Sequence, residues 1–86
     1  MAVEITVRCY GPARHEAGAE TLRVLLPSEG TVADVLRSLE ADPATSTGLV
    51  QLLPHCAVAI DDELVPKDHP VTGEHEVALL PPVAGG

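Results

Sequence analysis

One ten-residue stretch limits what this chain can fold into. Between Val32 and Ala41 the apolar residues Val32, Val35, Leu36 and Leu39 fall at i, i+3, i+4 and i+7, one stripe of a helix, with Thr31 as its N-cap and Asp34 three residues on. Elsewhere the apolar residues recur every second position. Val3, Ile5, Val7 and Cys9 alternate with Glu4, Thr6, Arg8 and Tyr10, and Leu22, Val24 and Leu26 alternate with Thr21, Arg23 and Leu25. A helix with one apolar stripe needs a sheet face to cover, and half-apolar strands need such a cover.

The rest of the chain fills in that scheme. "GPARHEAGA" reads as a long loop joining the first two strands into a hairpin. After the break at "DPATSTG", Leu49, Leu52 and Leu53 line a short helical segment that stops before Pro54. "CAVAI" reads as a buried strand, "DD" as a turn, "ELV" as a short return strand and "KDHPVTGE" as a loop before the last strand, "HEVALLPP". The order β-β-α-β-β-β, with its helix crossing one sheet face in the right-handed sense, predicts an α+β roll: a mixed sheet gripping one main helix. At 86 residues there is room for one core, built from eleven Leu and eleven Val with Tyr10 as the only aromatic residue. We expect one domain over residues 1–80 and an extended tail over 81–86.

Thirteen acids against five bases give a formal charge of −8. That field repels phosphate backbones and anionic lipid, so neither nucleic acid nor a membrane is an expected partner. The alternating start has no apolar run fit for a signal peptide or a span, and a cytoplasmic location is expected. Cys9 and Cys56 lack paired spacing and read as small buried hydrophobes in a reducing compartment. His55 adjoins Cys56, but adjacent strand residues point to opposite faces, and His15, His69 and His75 show no ligand spacing, so no metal site is expected. Asp61, Asp62 and Glu63 read as a solvated turn. Residues 61 to 76 hold six acids against Lys67, an acidic flank near the tail in sequence that would complement a basic rim on a partner.

The tail, "PPVAGG", carries no acid, base or thiol side chain. At an average glycine frequency of about 7%, two terminal glycines arise by chance about once in 200 chains. Pro81 and Pro82 hold the exit extended, and the six residues reach roughly 20 Å when fully stretched. Glycine at the tip admits the chain to a narrow channel, and the only reactive group there is the carboxylate of Gly86. Tyr10 and Leu80 fall off the apolar register of their strands and should face away from the helix.

With "ALLPPVAGG" at its end and "YGPARHEAG" after the first strand, the chain resembles the small, sulfur-carrying subunit of molybdopterin synthase, a ubiquitin-like β-grasp family, over nearly its whole length. The second segment is similar to the family's F-A-x-x-R-E-x-x-G: Tyr10 takes the aromatic place and Arg14 the basic one, while His15 stands where an acid is usual and Glu16 follows it. The resemblance implies a carrier that binds no cofactor itself. A ubiquitin-activating-like adenylyltransferase would use ATP and Mg²⁺ to adenylate Gly86, and a persulfide sulfur donor would convert it to a thiocarboxylate. The large subunit of molybdopterin synthase would then present cyclic pyranopterin monophosphate to the sulfur, in a heterotetramer by the family's pattern. Pro81, Pro82, Val83, Ala84 and Gly85 would line the partner's channel, and Tyr10, Leu64 and Leu80 would match the family's partner-binding patch. Carriers for thiazole, cysteine or transfer-RNA thiolation share the two glycines, as do ubiquitin-like modifiers joined to lysines. A plain β-grasp binding module would keep its activity without the tail.

Overall fold

A computed structural model describes residues 2–82. In chain order its elements are β1 (Val3–Cys9), α1 (Gly11–Ala17), β2 (Thr21–Leu26), β3 (Gly30–Thr31), α2 (Val32–Ala41), α3 (Thr47–Leu52), a 3-10 turn (Leu53–His55), β4 (Ala57–Ile60), β5 (Glu63–Val65), β6 (Pro70–Val71) and β7 (Glu76–Leu80). Five strands form a mixed sheet in the order β2-β1-β7-β4-β5. β1 and β2 are antiparallel, with Val3 opposite Leu26 and Arg8 opposite Thr21. β7 runs parallel to β1, level at Val7 with Val77 and at Cys9 with Leu79, and antiparallel to β4. The strand furthest along the chain therefore sits at the centre of the sheet.

Alternation then divides the sheet. Ile5, Val7, Cys9, Val24, Leu26, Val58, Ile60, Val77 and Leu79 are buried on one face, where Val32, Val35, Leu36 and Leu39 of α2 complete the core. Burying a valine or leucine side chain fully stabilises a fold by about 1.5–3 kcal/mol, so an aliphatic core of this kind needs no aromatic residue. This is the expected α+β arrangement, a β-grasp sheet holding α2. The helix has the bounds its periodicity predicts, and its start is fixed by a capping box. The Asp34 amide donates to Thr31 Oγ1 at 3.4 Å and the Thr31 amide donates to Asp34 Oδ2 at 2.8 Å. The amides of Val32 and Ala33 donate to the carbonyls of His69 and Lys67, at 3.0 and 2.8 Å. Donors left over at the helix start are thereby satisfied.

The structure corrects the sequence reading in three places. The loop between β1 and β2 contains a helix, α1. Pro12 stands in its first turn, where a missing N–H costs nothing, and Gly18 closes it at φ 72° with its amide donating to the Arg14 carbonyl. Second, Pro54 does not end the short helical segment, because a 3-10 turn carries it on to His55. Third, the loop before β7 contains β6, which pairs with β3 as a separate two-stranded sheet. α1 and α3 are joined by Ser46, whose hydroxyl donates to the Glu16 carbonyl at 2.7 Å and accepts from the Leu49 amide at 3.2 Å. The turn between β4 and β5 is as expected: Asp61 and Asp62 both take positive φ, 53° and 66°, the backbone of a two-residue hairpin turn of the primed type. Among the described residues no helix is long and apolar enough to cross a membrane.

Candidate functional site: the open sheet face and the tail exit

The face of the sheet turned away from α2 carries Glu4, Thr6, Arg8 and Tyr10 from β1 and its extension, Glu76, Ala78 and Leu80 from β7, Ala57 and Ala59 from β4, and Leu64 from β5. Ladder pairing fixes who stands beside whom. Arg8 is level with Ala78, Ala78 with Ala59, and Ala59 with Leu64, while Leu80 is level with Ala57. Tyr10 follows Cys9, the partner of Leu79, in extended conformation and so lies alongside Leu80. The three residues expected on this face are all there: Tyr10 is 45% exposed, Leu64 71% exposed and Leu80 half-buried. Three alanines lie between them and make the area flat. Ala57 is exposed, so "CAVAI" is not buried throughout; Val58 and Ile60 alone point into the core from β4's inward register.

The other half of the same face is charged. Arg8 Nε donates to Glu76 Oε1 at 2.7 Å and its Nη2 to Oε2 at 3.4 Å, a two-pronged pair. The hydrogen bond from Arg8 holds the Glu76 carboxyl below its ordinary value, and Glu76 raises the already high value of Arg8. Arg23 lies 3.9 Å from Glu4 on β2's side. Leu25 is 65% exposed at that far corner, opposite Glu4, and was not among the expected site residues. Its place in the polar register of β2 was the available clue.

β7 ends at Leu80, and the chain leaves the sheet from its centre. Pro81 is half-buried and Pro82 exposed. Pro81 passes Gly11, the first residue of α1, on the β1 side; on the other side β4 begins at Ala57, level with Leu80, just after the buried Cys56. Val83, Ala84, Gly85 and Gly86 lie outside the described residues, and with them the carboxylate to which the sequence points. The acidic flank is at the other end of β7. Asp61, Asp62 and Glu63 border the start of that strand, where His75 Nδ1 lies 3.2 Å from Asp61 Oδ2. Four steps along a strand put Glu76 roughly 13 Å from Leu80. The acids are near the tail in sequence and remote from its exit in space.

Other chemistry is sparse. Cys9 and Cys56 are buried free thiols, and burial pushes both above the ordinary thiol value, which removes thiolate at neutral pH. Among the described residues, no three His, Cys, Asp or Glu side chains converge as metal ligands would.

A family model described as the ThiS family matches residues 7–86. Among solved structures, SAMP1 from Haloferax volcanii, a small archaeal modifier protein, is 26% identical over 96% of this chain and 99% of its own, with a TM-score of 0.76. The Haloferax volcanii HVO 2177 protein is 28% identical over 99% of this chain and 88% of its own, with a TM-score of 0.78. A chain of the complex of subunits 1 and 2 of the molybdopterin-converting factor from Helicobacter pylori is 28% identical over 96% of this chain and 99% of its own, with a TM-score of 0.59. No curated protein matches the sequence.

Proposed function

The chain belongs to the ThiS family, in the class of ubiquitin-like sulfur carriers and modifiers, and from that premise we propose that it is the sulfur-donating small subunit of a molybdopterin synthase. One observation carries the reading: Pro81 leaves the central strand beside Tyr10 and Leu80, so a partner seated on the apolar half of the open face receives the tail directly. The "PPV" before the final residues and the likeness to a chain of the Helicobacter pylori molybdopterin-converting factor favour molybdopterin over the other sulfur pathways.

In this mechanism Gly86 supplies the only reacting group of the chain. An unactivated carboxylate is a poor electrophile. The activating partner therefore joins it to the α-phosphorus of ATP, with Mg²⁺, and pyrophosphate leaves. The terminal sulfur of a persulfide displaces AMP at the acyl carbon; a second thiol then takes the donor sulfur as a disulfide and leaves the thiocarboxylate. In the large subunit's pocket that sulfur attacks the cyclic pyranopterin monophosphate, and water returns Gly86 to a carboxylate. Tyr10, Leu64 and Leu80 form the docking patch, and Pro81 to Gly85 thread the channel.

The test is intact mass after incubation with the activating enzyme, ATP, Mg²⁺ and a sulfur donor. The wild type is expected to exchange one oxygen for sulfur. Deleting Gly86, or adding one residue after it, moves the carboxylate by about 3.5 Å, and displacements of about 1 Å already cost about a hundredfold in rate. Both variants should melt like the wild type and gain no sulfur. An extended variant that gains it equally well without trimming would reject the reading.

The likeness to SAMP1 favours a second reading, a modifier joined to lysines. A ladder of heavier conjugates in cells, lost with Gly86, would select it; co-purification with a large synthase subunit would select the first.

A further inference from the structure

Gly11 stands where β1, after Tyr10, turns into α1, at φ +52°. That conformation alone would account for a glycine. A second observation does not follow from it: a Cβ at Gly11 would lie 4.0 Å from Cγ of Pro81, a van der Waals contact across 70 residues of sequence. β1 and β7 run side by side in parallel up to Cys9 and Leu79, and one step later β1 turns away while β7 continues into the tail. At that point Gly11 is what Pro81 passes on the β1 side. Because the proline ring fixes its own φ, the remaining freedom of the exit lies in the rotations around Leu80 and Pro81, and a wall on one side restricts them.

We infer that Gly11 is a positioning residue for the tail: the space its bare Cα leaves beside the Pro81 ring is the bearing past which the chain leaves the sheet, and it sets the direction in which the chain departs toward a partner's active site. The inference rests on the carrier reading for its consequence and on the place of Gly11 beside Pro81 for its geometry. A substituent ending at Cβ touches the ring. Atoms beyond Cβ compete with the ring for space.

Two requirements at one position can be separated because they rank substitutions in opposite orders. Positive φ is tolerated better by Asn than by Ala, so Gly11→Asn should melt above Gly11→Ala. The bearing ranks them the other way, since Asn adds atoms beyond a Cβ that already meets Pro81 and Ala does not. In sulfur loading by the activating enzyme, Gly11→Asn should therefore lose about tenfold or more in kcat, as small misplacements of a reacting group do, with KM unchanged because the open face is intact. Gly11→Ala should lose less. Pro81→Ala placed in the Gly11→Asn chain removes the ring and should restore part of the loss. Loading that follows stability, Ala below Asn, or a double variant no better than Gly11→Asn, would overturn the inference. If the wild type itself never gains sulfur, the carrier reading fails, and the bearing is judged by a nuclear Overhauser effect between Gly11 Hα and Pro81 Hγ. Its presence in the wild type and loss in Gly11→Asn support the contact, and its absence from the wild type rejects it.

Discussion

The two faces of the sheet are built from the same strands by alternate residues, and they follow different rules. On the covered face Ile5, Val7, Cys9, Val58, Ile60, Val77 and Leu79 are shut from solvent against α2, in the register that the alternation dictates. On the open face the β1–β2 side holds ion pairs, whereas the β7–β4–β5 side holds Leu80, Leu64 and three alanines. Solvent would be served by polar residues throughout. Leu25, exposed at the far corner of the charged side, stands alone there, whereas Tyr10, Leu80, Leu64 and the alanines adjoin one another, and adjoining exposed apolar residues are what a surface covered by another molecule has. Leu79 and Leu80, one residue apart, separate the two rules.

The sharpest way to break this comparison is to truncate both leucines in turn. Leu79→Ala leaves a hole in a packed core and should cost about 2–5 kcal/mol by denaturant unfolding, as should Leu36→Ala across the core in α2. Leu80→Ala should stay within about 1 kcal/mol of the wild type. Equal losses at 79 and 80 would mean that both faces are core. A smaller effect is expected from Leu80→Glu, which should keep the fold and melting profile but lower affinity for the large subunit at least about tenfold, because a carboxylate must be desolvated in the patch. Global unfolding of that variant would put Leu80 inside.

The smallest effect comes from the charged half. Glu76 has its carboxyl held low in the folded protein by Arg8. It therefore contributes stability that is present above the unfolded glutamate value, about 4.3, and is lost as pH falls through the folded value. The pair is exposed, so the slope of melting temperature between about pH 5 and 3 should be shallow and weakened by salt. Glu76→Gln should flatten it further. A steep slope that survives the substitution would assign acid sensitivity elsewhere, with Asp34, held low first by the Thr31 amide, next in line.

Much of this was legible in the residues. α2 could be bounded to the residue because its stripe, its N-cap and the non-helical residues after it agree, and the outward direction of Tyr10 and Leu80 followed from period two alone. α1 is hidden in the sequence because Gly11 and Pro12 are residues that break a helix from inside. In position they are a helix start, as Gly18 is its stop. β3 and β6 are two residues each, shorter than any period, and exist because the chain ends of two loops meet. The acids at 61–63 were placed near the tail by sequence distance, and only the direction of β7 shows that a whole strand separates them. Pro81 beside Gly11 was illegible for the same reason: no local pattern reports that positions 70 apart are neighbours.

The central place of β7 has a consequence for how the molecule is made. β1 and β4 do not pair with each other; each pairs with β7, so until that strand is available the sheet exists only as two hairpins, β1–β2 and β4–β5. Isolated hairpins are marginal in water, and pairing partners so far apart in sequence close late in folding. A chain interrupted anywhere before Glu76 therefore has no platform to fold on and falls to degradation as an unfolded species. Any molecule that presents the assembled open face already contains the strand from which Pro81 departs. The topology works as a completeness check on the domain: a copy that stops before β7 cannot assemble the open face at all.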